Sequence, residues 1–372
     1  MKNYFKDKLV VSIEQAVAAP YCTAKLADAG ARIIKVERKE GDFARYYDDF
    51  VKGESTYFVW LNRGKESLIA NIKNIKDVEL IKNIVVKSDI FIQNLGPNVL
   101  KKVGLDSVSL RKINKSLITC DISGFGEKGP YSQLKAYDLL IQAETGLCSI
   151  TGNADAPGRV GVSVCDIACG MNAYSLILEA LIKREFSGKG SSIKVSLFDS
   201  LSEWMNVPFL QYVYTKNPPK RVGLAHPSIV PYGCFKTKDR KNILFSIQNE
   251  REWKEFSNKI IKLPKEIKKE FRNPSLRLKN KNKLNALIEN IFKKLHSKSL
   301  ITNLKKYKIA FGLLNSVKEF VSHPQLKKAY TSKKDKKLQF IPPVTLENIK
   351  VFKKIPELGE DSAKIRKEFK IK

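Results

Sequence analysis

From Lys8 to Gly126 the chain alternates runs suited to strands with runs suited to helices, an order that leaves few architectures open. KLVVSIEQ (8–15) has the composition of a buried strand. PYCTAKLADAG (20–30) then carries Pro near the start and Gly past the end of a helix. RIIKVER (32–38) and SLIANI (67–72) supply further strands, DVELIKNIVVKSD (77–89) an amphipathic helix, and IFIQNL (90–95) a strand. A helical VLKKVG (99–104) and the strand SLITCDISGFG (116–126) complete the series. Strands separated by helices predict βαβ units and an α/β fold, with a mainly parallel sheet covered on both faces. Ligands of such sheets bind beyond the carboxyl ends of the strands.

Beyond Ser123 the pattern loosens into a Gly- and Pro-containing stretch to Gly161, followed by a long helix from about Ile167 to Phe186 closed by SGKG. SSIKVSLFDS (191–200) adds a strand, and TKNPPKR (215–221) has linker composition. A lysine-rich segment from about 232 to 325 contains strands near FKTKDRKNILFSI and several helices. TSKKDKKLQ (331–339) is expected to be an exposed connection, and IPELGEDSAKIRKEF ends in a short helix. No internal repeat is evident. Two domains are predicted, a large one over 1–215 completed by 331–372 and a small one over 222–330.

Hydrophobic residues make up 43% and charged residues 28% of the 372, the composition of a soluble globular protein. No apolar sequence run approaches the ~18 residues of a membrane span, and the N-terminus lacks a signal-peptide core. The expectation is a cytoplasmic protein with no membrane partner. The six cysteines form no CxxC pair. Cys165 and Cys169 could share a helix face, but no His is near, so no metal site is expected. A net charge of +30 attracts polyanions. It comes from 55 Lys and only 13 Arg, concentrated from about Lys254 to Lys308, with no zinc finger, RRM or bZIP pattern. A basic nucleic-acid-binding protein remains an alternative; a small ligand carrying phosphate satisfies the same charge, and no nucleic-acid partner is expected.

GVSVCDIACG (161–170) sets a single carboxylate, Asp166, among small apolar residues. Around it fall, in order, EQAVAAPYCTAKLADAGARIIKVERKEGD, NRGKESL, NLGP, ISGFGEKGPYSQLKAYDLLIQAETGL, RVGVSVCD, GKGSSIKVSLFDS and PELGE. Together these resemble the class III CoA-transferase family, which includes formyl-CoA and carnitine-CoA transferases. The likeness runs along nearly the whole chain, with gaps in the small domain.

The resemblance implies a Rossmann-like large domain, a smaller α/β domain and an interlocked homodimer. It implies no permanently bound cofactor, a CoA thioester and a free carboxylic acid as substrates, and Asp166 as nucleophile. A carboxylate can attack a thioester because thiolate leaves readily, giving an aspartyl anhydride and then an aspartyl-CoA thioester. A place at the start of the following helix would keep Asp166 ionised through the helix dipole; Asp is also a common N-cap, and both roles can coexist. CoA would meet Val17 and Ala18, Arg38, the segment Ala70, Asn71, Ile72 and Lys73, then Asn94, Leu95 and Gly96, and Lys102. Arg38 and the lysines suit phosphates by charge, although a solvated surface Lys is the plain alternative. Lys102 occupies a place where Arg is common, so a bidentate grip is lost there.

Lys135, Ala136, Tyr137 and Asp138 would line the thioester end. The related α-methylacyl-CoA racemases carry His where Tyr137 stands. A phenol of pKa about 10 is a poor base near neutrality, which weakens an epimerase reading; Tyr137 is either a hydrogen-bond donor or a packed core residue. RVGLAHPSIVPYG (221–233) replaces the glycine lid of formyl-CoA transferase and resembles the branch acting on succinyl, mesaconyl, citramalyl and itaconyl groups. Arg221 and His226 could meet a distal carboxylate, or His226 could simply order the turn before Pro227. The function expected is transfer of CoA between short, dicarboxylic acids.

Overall fold

The computed structural model describes residues 5–346 and 352–370. Its centre is a six-stranded parallel sheet of β1 (Leu9–Ile13), β2 (Arg32–Glu37), β3 (Lys65–Ile69), β4 (Ile90–Gln93), β5 (Ile118–Ser123) and a later strand, Ser192–Ser196. Successive side chains point to opposite faces of a strand. Val10, Ile33, Ile90, Ile92 and Cys120 therefore join one core cluster, while Val11, Ile34 and Phe91 join another. Burial on both faces explains why these strands carry apolar residues at successive positions rather than only at alternating ones. Helices α1 (Ala18–Asp28), α2 (Thr56–Leu61), α3 (Ile75–Val86), α4 (Ser107–Ile113) and α5 (Asp138–Glu144) fill the connections. After the one-turn α6 (Leu147–Ile150) and the two-residue strands β6 (Gly152–Asn153) and β7 (Ala156–Pro157) comes α7 (Val164–Ser187), then β8 (Ser192–Ser196) and α8 (Leu197–Trp204).

The order β3-β2-β1-β4-β5-β8 reverses direction between β1 and β4. At such a reversal the connecting helices diverge to opposite faces, leaving a crevice beyond the strand ends. Helix α7 reaches this end because Gly170 is bare: a Cβ there would lie 2.6 Å from the Ala18 carbonyl oxygen and 3.0 Å from the Tyr21 ring. The helix is long and apolar enough to cross a membrane by length and composition, which the sequence runs did not suggest. Its buried stripe of Cys165, Cys169, Ala173 and Ile177 packs into the sheet core.

The chain divides into two compact units, one of 1–148, 159–210 and 327–372 and another of 149–158 and 211–326. The boundaries expected near 215 and 331 thus lie at 210/211 and 326/327, and the β6–β7 pair joins the second unit. That unit has a three-stranded antiparallel sheet of β9 (Tyr232–Lys236), β10 (Asn242–Ser246) and β11 (Ala310–Leu313), over a core including Phe235, Phe245, Phe256 and Phe292. TSKKDKKLQ is not a loop. It folds as the hairpin β12 (Ala329–Lys333) and β13 (Lys336–Phe340) within the first unit. Leu338 packs with Phe58, Val59 and Ile355, and the buried Lys333 pairs with Glu54.

Candidate active site

A cavity of about 1030 Å³ opens at the carboxyl ends of β1, β4 and β5. Its wall includes the loop Gln15–Ala18 after β1 and the turn Asn94–Gly96 after β4. Asn94 ties the two together, accepting from Gln15 N–H at 2.9 Å and donating to the Gln15 carbonyl at 2.8 Å. Ala16 adopts a left-handed φ of 61°; its N–H donates to Asp42 Oδ1 at 3.1 Å. A second hollow of about 480 Å³ shares Gln15 and Leu95 with the first. It is lined by Arg38 and by Ala70, Asn71, Ile72 and Lys73 beyond β3.

Lys135, Ala136, Tyr137 and Asp138 reach the large cavity because Gly124, at the end of β5, lets them approach. A Cβ on Gly124 would sit 2.2 Å from that of Ala136. Asp166 lines the same cavity. Helix α7 starts at Val164, three residues earlier than expected, so Asp166 lies in its first turn and is not its N-cap. Ser163 holds the N-cap position without a side-chain hydrogen bond. The capping carboxylate comes from α5: Asp138 Oδ1 accepts from Cys165 N–H at 2.7 Å and from Asp166 N–H at 3.4 Å. Asp138 in turn accepts from Gln142 Nε2 at 2.7 Å.

This arrangement reverses the expected electrostatics. The helix terminus is occupied by Asp138, and Asp166 is not held ionised. Burial, and then the negative charge of Asp138, push its carboxyl up to about 7. Desolvation outweighs the dipole because the carboxylate loses water while the nearest N–H groups serve another acid. Near neutrality the site therefore holds a carboxylate that is weakly solvated, about half ionised, and free to attack an electrophile. Tyr47, on the same wall, is raised to about 12 by burial and by Asp42 and Asp166, so its phenol remains a donor.

Lys102 lies elsewhere in the first unit, while Arg221 and His226 belong to the second unit and are engaged within it. Lys102 borders neither hollow; its neighbour Lys101 lines the large one. Arg221 donates to the carbonyls of Asn153, Ser149 and Ala154 at 2.9–3.1 Å. Three of its five N–H groups are thus given to a backbone turn. His226 stacks on Tyr232, and its Nδ1 accepts from the N–H groups of Ser228 and Ile229, the turn-ordering arrangement. Tyr47, Tyr57, Lys101, Arg159 and Lys194 line the large cavity without having been anticipated. Arg159 and Lys194 fall within the quoted segments RVGVSVCD and GKGSSIKVSLFDS, and Tyr46 and Tyr47 follow KEGD after three residues; these were the signals the sequence offered. The described residues contain no group of three or more His, Cys, Asp or Glu able to hold a metal ion, and all six cysteines are free.

The model for CoA-transferase family III matches residues 5–362. A curated relative, the succinyl-CoA:glutarate CoA-transferase of Mus musculus, is 34% identical over 85% of this chain and 73% of its own length. The acetyl-CoA:oxalate CoA-transferase of Acetobacter aceti is 32% identical over 87% of this chain and 84% of its own. Among solved structures, a CAIB/BAIF family protein from Brucella suis is 31% identical, with a TM-score of 0.84 over 98% of this chain and 99% of that one.

Proposed function

The chain belongs to CoA-transferase family III, and from that premise we propose that it moves CoA between short dicarboxylic acids with Asp166 as nucleophile. The observation that carries the reading is the placing of Asp166 in a cavity large enough for a thioester, with its carboxyl raised to about 7. Both curated relatives described above are named for dicarboxylic acceptors, glutarate and oxalate. In this reading a carboxylate oxygen of Asp166 attacks the acyl carbonyl of the donor thioester. The C–S bond breaks, giving an acyl-aspartyl anhydride and CoA thiolate. The thiolate then attacks the Asp166 carbonyl carbon, releasing the donor acid as a carboxylate and leaving an aspartyl-CoA thioester. The incoming carboxylate repeats these two steps in reverse order, so no proton is consumed and no thioester bond is lost to water.

CoA follows the two joined hollows. Its phosphates lie near Arg38 and the Asn71–Lys73 turn, where the Arg38 guanidinium and the Lys73 ammonium can donate. Its thiol end passes the Val17–Ala18 loop towards Tyr137 and Asp166. The first unit acts as a Rossmann-like CoA-binding domain. An interlocked homodimer accounts for large apolar side chains exposed in the single chain, such as Ile182, Phe186 and Trp204. The protein works in the cytoplasm, where its free thiols stay reduced. The test is incubation with succinyl-CoA and a panel of short acids, followed by mass analysis of the product thioesters, with hydroxylamine added to trap the intermediate. Exchange, and a hydroxamate on Asp166, are expected; turnover by Asp166→Ala would overturn the assignment.

A further inference from the structure

A dicarboxylic acid brings a second negative charge to a cavity that already holds Asp106, Asp121, Glu127 and Asp138 beside Asp166. Without a cation for its far carboxylate, such a substrate would be repelled and desolvated at once. Arg221, which belongs to the second unit, already gives three of its five N–H groups to carbonyl oxygens. Lys194 lines the cavity but is bound to Asp121 and, at 2.6 Å, to Glu127. Lys101, Lys135 and Arg159 remain, and none of these side chains forms an ion pair with any described residue.

Arg159 differs from the two lysines in how its backbone is fixed. The next residue, Val160, donates its N–H to Gln142 Oε1 at 2.9 Å and accepts from Gln142 Nε2 at 3.4 Å. Gln142 is fully buried and also donates to Asp138, the carboxylate that caps the helix bearing Asp166. One side chain thus ties the segment carrying Arg159 to the start of the nucleophile's helix. Arginine also presents a planar fork that matches a carboxylate with two parallel hydrogen bonds, which an ammonium cannot do.

Resting on the CoA-transferase reading above, we propose that Arg159 receives the distal carboxylate of the dicarboxylic acid whose near carboxylate is joined to Asp166. Arg159 is then a specificity-determining residue, and Gln142 a positioning residue that holds it relative to the nucleophile.

The experiment compares kcat/KM for glutarate and for valerate as acceptors in the wild type, Arg159→Met, Arg159→Lys and Lys135→Met. Valerate has the same chain length without the far charge, and competition constants replace kcat/KM where turnover is slow. In a two-step exchange the acceptor's kcat/KM reports only the half-reaction in which it binds, so the donor's own charge does not enter. Arg159→Met should lower the glutarate-to-valerate ratio about 10- to 100-fold, as loss of a charge-assisted pair implies. Arg159→Lys should lower it less, and Lys135→Met should leave it unchanged. A ratio unaltered in Arg159→Met, or lost instead in Lys135→Met, overturns the proposal. If Arg159→Met is inactive with both acids, the ratio in Arg159→Lys decides in the same way. A wild type that accepts no dicarboxylic acid refutes the dicarboxylate reading itself, which is a separate result.

Discussion

Replacing Asp166 by Asn should stabilise the protein at alkaline pH and not at acid pH. The side chain has an ordinary value of 3.8 and rises to about 7 in the fold, first through burial and then through Asp138. Between these values the folded chain binds a proton that the unfolded chain does not, so stability falls as pH rises through the window. The gap is worth about 4 kcal/mol once the group is fully ionised, at ~1.4 kcal/mol per tenfold change in proton affinity. Asn mimics the protonated acid and is indifferent to pH. Melting temperatures of the wild type and Asp166→Asn, free of CoA, should therefore nearly coincide at pH 4 and separate by several degrees at pH 8.5, with the variant higher. A gap of equal size at both pH values would show that the carboxylate is not strained by its surroundings. A gap of the opposite sign would mean that the helix terminus does hold Asp166 ionised.

On the proposed mechanism Asp166 must be deprotonated to attack, so exchange should rise with pH through about 7 in the wild type. Asp138→Asn should move that rise to lower pH by removing the adjacent charge; loss of the Gln142 hydrogen bond alone would slow exchange without moving it, so an unmoved limb refutes the coupling. Gly170→Ala would set a Cβ against the Ala18 carbonyl oxygen, costing about 1–3 kcal/mol as overpacking does. The shift falls on the loop proposed to hold CoA, so the KM for the acyl-CoA should rise; an unchanged KM would separate that loop from binding.

The sheet was legible because β1, β2, β4 and β5 bury both faces, which leaves apolar residues at successive positions, broken only by single polar residues such as Lys35 in β2 and Asp121 in β5. Their spatial order was not, since nothing local records that β1 pairs with β4. The start of α7 was misplaced for a related reason. Its capping carboxylate is Asp138, 28 residues upstream, and the residues just before the helix carry no cap of their own. Arg221 was recognisable as a cation, but the carbonyls that occupy it lie 67 to 72 residues earlier. Lysines concealed the hairpin at 329–340, where burial of Lys333 depends on Glu54, far away in sequence. What composition and spacing miss in each case is a partner supplied by the fold.

The same principle explains the buried charges beneath the Gln15–Ala18 loop. Lys35 Nζ donates to Asp42 at 2.6 Å, and Lys65 Nζ donates to Glu14 at 2.6 Å, all four side chains being buried. Burial pulls Lys65 down to about 8 against the opposing pull of Glu14, so desolvation is not fully offset there. Apolar residues of equal volume would hold the strands together as well or better. They could not do what Asp42 does with its remaining lone pairs, which is to accept from Ala16 N–H at 3.1 Å and Ala44 N–H at 2.9 Å. Those two bonds hold Ala16 in its left-handed conformation and start the short helical turn Phe43–Tyr46, which leads directly into Tyr47 on the cavity wall. The ion pairs thus fix the direction of the loop and of the phenol that face Asp166, and their cost in stability is set against the placing of the site.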